Sequence, residues 1–227
     1  MLYLIVALII LALILGPQFW VRHVMDRHAA DRPDLPGTGG ELARHLLDRY
    51  GLDKVAVETT ADGGDHYDPD ARIVRLSPRN HDGRSITAVA VAAHEVAHAI
   101  QHAQGSQLFA LRTRLARLLG TVDKIAMVVL VAVPIVMIFT RVPAIGLFQF
   151  GAVIALLGLG VVVHLLTLPV EFDASFGKAL PILDYDKYLH PDDMPAARGV
   201  LRAAAMTYVA ASLMGLLDFL RILRVIR

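Results

Sequence analysis

The sequence predicts a mainly α integral membrane protein, with three to four membrane helices and a small water-facing α+β domain that carries a short β-hairpin. Three observations predict it. Of the 227 residues 56% are hydrophobic and 19% charged, against roughly 45–50% and about 25% in an average soluble domain. The uncharged residues fall in runs long enough to cross a bilayer, and the charged ones gather between His23 and Thr121. Composition also excludes classes of function. Twenty-two Lys and Arg against 21 Asp and Glu leave a formal charge of +1, which argues against a nucleic-acid partner. With no cysteine in the chain, thiolate nucleophiles and Cys-ligated metals are excluded, so a metal would be held by His and carboxylates.

The first run, Leu2–Val21, has no charged side chain, and 20 helical residues span about 30 Å, the thickness of a hydrocarbon core. No positive residue precedes it and no Ala-x-Ala site follows, so it reads as an uncleaved anchor rather than a signal peptide. Ile125–Thr140 and Val142–Val170, separated by Arg141, suggest the two arms of a membrane hairpin. Ala203–Leu217 is shorter and ends in a stripe of Asp218, Arg221, Arg224 and Arg227, which fits either a fourth span or an interfacial helix. The expected organisation is an anchor (1–22), a water-facing domain (23–121), a hairpin (122–170), a following helix and loop (171–195) and a C-terminal membrane or interfacial helix (196–227). Arg22, Arg27 and Arg32 follow the first run, and Arg112, Arg114, Arg117 and Lys124 precede the second. That bias predicts a multi-pass protein of the cell membrane, its water-facing domain in the cytoplasm.

Within that domain, Thr38 followed by Glu41 forms a capping-box pattern ahead of Leu42, Leu46 and Leu47, and predicts a helix ending near Gly51. Residues 55–59 and 71–77 read as two short antiparallel strands, with turn chemistry at Asp62-Gly63-Gly64-Asp65 and Asp68-Pro69-Asp70 between them. The strand Ile73–Leu76 could offer an edge to an extended peptide. Ser85 caps an alanine-rich helix expected to run to about Gln104 and stop at Gly105.

On that helix stands His94-Glu95-Val96-Ala97-His98. Two imidazoles four residues apart project from one helical face and can share a zinc ion, with Glu95 offset to act as base toward a water: the arrangement of metalloproteases. With ten His and four Glu in the chain, chance supplies roughly 0.008 occurrences. A hydrolytic site needs a third ligand and an open position for water. His102 lies about 12 Å along the helix axis from His94, too far for one tetrahedral ion. Among the glutamates Glu41, Glu58, Glu95 and Glu171, Glu171 stands out, because two crossings between His98 and Glu171 would return it to the same membrane face. Asp173 and His102 remain the other options. His102, His66 and Tyr67 are candidates to stabilise an oxyanion.

The stretch His94–Gln101, the element His66-Tyr67-Asp68-Pro69 with Val74–Ser77, and Val170–Ser175 resemble the YugP-type bacterial membrane zinc metallopeptidases over nearly the whole chain. The resemblance implies a zincin-like site of the gluzincin kind with one Zn2+ per chain, His94, His98 and Glu171 as metal ligands and Glu95 as the catalytic base. It implies a peptide or membrane-protein substrate cleaved at the bilayer surface. Glu171 to Ala174 is also similar to the Glu-x-x-Ala-Asp element of the HtpX and CAAX-prenyl-protease group, with Ser175 in the place of that Asp. Ser175 or Asp173 could then orient a ligand histidine. The competing expectation is a non-catalytic membrane scaffold or sensor in which the same residues hold a structural or regulatory metal.

Overall fold

The computed structural model describes residues 2–140, 143–185 and 187–225. In chain order the elements are α1 (Leu2–Arg27), α2 (Gly39–Arg49), β1 (Ala56–Thr59), β2 (His66–Asp68), β3 (Ile73–Leu76), α3 (Pro78–His81), α4 (Ile86–Ala103), α5 (Gln107–Thr140) and α6 (Pro143–Phe172). A π-helical segment (Asp173–Ala179), α7 (Leu180–Tyr185), a 3-10 turn (Pro191–Asp193) and α8 (Met194–Val225) complete it. Arg141 lies outside the described residues.

Two compact units emerge. One comprises Met1–Gln18, Leu111–Thr167 and Tyr208–Arg227, and the other Phe19–Ala110 and Leu168–Thr207. In the first unit, buried Leu119 of α5 meets α6 at Gly160, where an added Cβ would lie 4.0 Å from the leucine Cδ2. The second holds the polar chemistry. Its core joins Leu46 and Leu47 of α2, Val74 and Leu76 of β3, Val96 of α4, Leu183 of α7 and Leu201 of α8.

Local signals in this unit act as their chemistry dictates. Thr38 Oγ1 accepts from Glu41 N–H and Glu41 Oε2 from Thr38 N–H, closing the capping box at the start of α2. Gly51 (φ 67°) ends the turn after α2, and Gly105 (φ 66°) follows α4, both in the left-handed region open to glycine. Ser85 caps α4 through Ala88 N–H. Asp68 Oδ1 accepts from Asp70 N–H and Ala71 N–H, which folds the chain between β2 and β3.

Two expectations are corrected. Among the described residues one helical stretch, Gly158–Tyr185 (28 residues), is long and apolar enough to cross a membrane, in place of three to four. An uncharged run does not distinguish a helix surrounded by lipid from one surrounded by protein. Moreover α5 and α8 are single helices of 34 and 32 residues that include charged residues such as Arg114, Lys124, Arg198 and Arg202. The sheet also differs. It has three strands in the order β1-β3-β2, with β1 parallel and β2 antiparallel to β3. The hairpin is therefore β2–β3, and β1 joins from further away in the chain. Strands of three or four residues carry too little alternation to name their partners. Because β3 is central, Ile73–Leu76 has no edge to offer, and the edges belong to β1 and β2.

α2 approaches α4 closely at Gly39, where an added Cβ would run into the Asn80 carbonyl oxygen and stand 2.8 Å from that of Ala88. Gly39→Ala should therefore cost about 1–3 kcal/mol by overpacking, despite alanine's higher helix propensity. Chemical denaturation would show this as a lower midpoint at unchanged slope.

Candidate metal centre

Helix α4 is buried on every face from Ile86 to Gln101. Its alanines make this possible: Ala88, Ala90, Ala92, Ala93, Ala97 and Ala99 are each at most 1% exposed and let neighbouring segments approach its backbone. His94 and His98, four residues apart, share one face, with ring centroids 4.7 Å apart and planes at 78°. Both are buried, as is Glu95.

Glu171 comes to them from the end of α6. Its Oε2 lies 3.1 Å from His98 Nε2 and 3.3 Å from His94 Nε2, and the carboxylate is 1% exposed. One donor atom from each of the three residues lies within 4.8 Å of the other two. The chain widens into the π segment two residues later, and such segments occur often at functional sites. Glu171, Asp173 and Ser175 all reach side chains of α4.

The hydrogen bonds behind the imidazoles fix their orientation. Ser175 Oγ donates to the Leu201 carbonyl at 2.9 Å, so it accepts from His94 Nδ1–H at 3.0 Å. Gln101 Oε1 accepts from His98 Nδ1–H at 2.9 Å. Gln101 Nε2 donates to the Val170 carbonyl at 3.0 Å and to Asp173 Oδ2 at 2.8 Å. Gly177 leaves the space that the Asp173 carboxylate fills, since an added Cβ there would collide with it. Each imidazole thus carries a hydrogen on Nδ1 and turns its Nε2 toward the same carboxylate oxygen. With both rings neutral, three electron-pair donors would converge there, so the donor set fits a metal ion.

The structure brings His94, His98 and Glu171 together and leaves His102 out of that group. His102 Nδ1 instead bonds the Tyr67 hydroxyl at 2.9 Å, and Phe109 stacks on His102 at 5.5 Å and reaches His98 at 5.9 Å. His66 bonds the Gly64 carbonyl and contacts Arg75. Gln101 is the residue that sequence reasoning passes over. Its signal was its place three residues after His98, on the same helical face.

A helix bearing two imidazoles that face a buried carboxylate is a donor set of the kind that can hold a zinc-type metal ion. The family described as "Putative neutral zinc metallopeptidase" matches residues 3–227, and the chain belongs to it. It is 34% identical over 222 residues to the "Putative membrane protease YugP" of Bacillus subtilis (strain 168), covering 97% of this chain and 95% of that protein. No solved structure matches.

Burial raises the Tyr67 phenol above its ordinary value of 10.0. A group whose folded pKa is raised stabilises the fold below its unfolded pKa and loses that contribution as pH climbs. Stability should therefore fall above about pH 10, and Tyr67→Phe should flatten that alkaline limb when unfolding midpoints are compared across pH.

Proposed function

We propose that this chain is a membrane-associated zinc endopeptidase that hydrolyses peptide bonds at the bilayer surface, with one Zn2+ per chain held by His94, His98 and Glu171 and with Glu95 as catalytic base. The observation that carries it is the convergence of both Nε2 atoms on Glu171 Oε2 from 73 and more residues away in sequence. Bound there, zinc supplies a Lewis acid that acidifies water and polarises a peptide carbonyl.

The residues of the chain do the rest. Ser175 and Gln101 hold the imidazoles by Nδ1 and turn Nε2 toward the site. Glu95, next to His94 on α4 and outside the donor set, takes a proton from the attacking water and passes it to the leaving amine. Burial of the site excludes bulk water and strengthens each electrostatic contact within it. Leu159, Val162, Leu165 and Leu166 of α6 are exposed apolar side chains, and they support contact with lipid. The Arg and Lys residues Arg22, Arg27, Arg32, Arg112, Arg114 and Arg117 support a cytoplasmic placement of the domain. A peptide or a membrane protein is the substrate class.

One observation favours a second reading. Glu95 is only 7% exposed and its neighbours less, which suits a structural or regulatory metal in a non-catalytic membrane scaffold or sensor. Two variants separate the readings. Glu95→Gln should retain one zinc per chain and lose about 10²-fold or more of peptide hydrolysis, and Glu171→Ala should lose zinc in elemental analysis. Cleavage unchanged in Glu95→Gln would remove Glu95 as the base, a zinc-loaded wild type that cleaves no peptide would leave the scaffold reading standing, and full zinc content in Glu171→Ala would remove Glu171 from the ligand set.

A further inference from the structure

Gln101 lies in the last turn of α4, one turn beyond His98, and is 1% exposed. Every polar atom of a buried amide needs a partner, and here the partners dictate its orientation. The Val170 carbonyl and the Asp173 carboxylate only accept, so Nε2 must face them. Oε1 is thereby turned to His98 Nδ1, and because it only accepts, Nδ1 must hold the hydrogen. His98 Nε2 is left as the ring nitrogen that faces Glu171 Oε2, 3.1 Å away.

We infer that Gln101 is a positioning residue of the metal site: its one amide sets the tautomer and rotation of His98 and, through Val170 and Asp173, ties α4 to the backbone on either side of Glu171. The inference rests on the proposed zinc ligands. Two ligands from distant parts of the chain are held at a fixed separation by a single side chain that touches neither the ion nor a substrate. Asp173 is the anchor of that amide, and Gly177 gives Asp173 room to be so.

The test measures zinc affinity of the full chain by competition with a chelator, for wild type, Gln101→Met, Gln101→Glu and the double variant Gln101→Glu/Asp173→Asn. Proton NMR of the hydrogen-bonded His98 Nδ1–H, which needs no turnover, is read alongside. Gln101→Met keeps the volume and removes the amide, and should weaken zinc about 10–100-fold. Gln101→Glu sets one carboxylate against another and should weaken it too. The double variant exchanges donor and acceptor between positions 101 and 173, replaces the bond to Val170 by two facing acceptors, and should recover part of the affinity lost in Gln101→Glu together with the Nδ1–H signal. Residue 101 acting as mere filling predicts an unaffected Gln101→Met and no rescue, and either result overturns the inference. If Gln101→Met fails to fold, the Gln101→Glu pair decides alone. A wild-type chain that takes up no zinc overturns the ligand assignment and the inference together. Normal zinc uptake with indifferent position-101 variants overturns the inference only.

Discussion

The Glu171 carboxylate sits almost wholly out of water against two imidazoles, and the surrounding structure is arranged around that buried charge. An uncompensated carboxylate costs several kcal/mol even after relaxation in a protein interior. Ser175 and Gln101 engage the Nδ1 sides of the two rings, so both Nε2 atoms are left facing the acid. A divalent cation shared by all three groups would compensate it. Ion binding would then be linked to the packing of α4 against the π segment, since whatever held the ion would also stabilise the contact between residues 94–101 and 170–175.

That contact requires an unusual helix. A surface helix buries one stripe, whereas α4 buries all its faces, and only its run of alanines lets α2, β3, α7 and the π segment crowd around it. The stacking explains why Gly39 and Gly177, neither of which carries a donor atom, matter to the site: one lets α2 approach the start of α4, and the other lets Asp173 fold back toward its end. Close packing turns a change in backbone spacing into a change in ligand geometry.

Local chemistry was the legible part of the sequence. Capping residues Thr38 and Ser85 mark where α2 and α4 start, because the side-chain bonds they form involve neighbours three residues away. Sheet order was not legible, since β1 reaches β3 across the intervening β2 and four residues of alternation do not specify a partner. Membrane helices were over-read, because hydrophobic runs record what lipid would tolerate and not what surrounds the segment. Two crossings between His98 and Glu171 consequently lose their force as a reason for the pairing. The small number of glutamates and the resemblance around Val170–Ser175 retain theirs. Gln101 was hidden for a different reason: an amide near the end of a helix looks like a solvated face until its three partners, two of them about 70 residues away, are in place.

The two imidazoles are supported unequally, and the difference bears on reactivity. His94 leans on a hydroxyl, and His98 on an amide with a carboxylate one bond further back. Neither has an acid directly on Nδ1, as an Asp at position 175 would supply. A carboxylate in that place makes an imidazole a stronger donor and adds a negative charge beside the ion. The proposed ligand set brings only the charge of Glu171, so a divalent ion held there would keep a net positive charge, the charge that would acidify water and polarise a carbonyl. Asp173 still contributes rigidity, through Gln101, without placing its charge against the ligand ring. Serine at 175 thus separates two tasks that a single aspartate would combine, the aiming of a histidine and the tuning of its basicity.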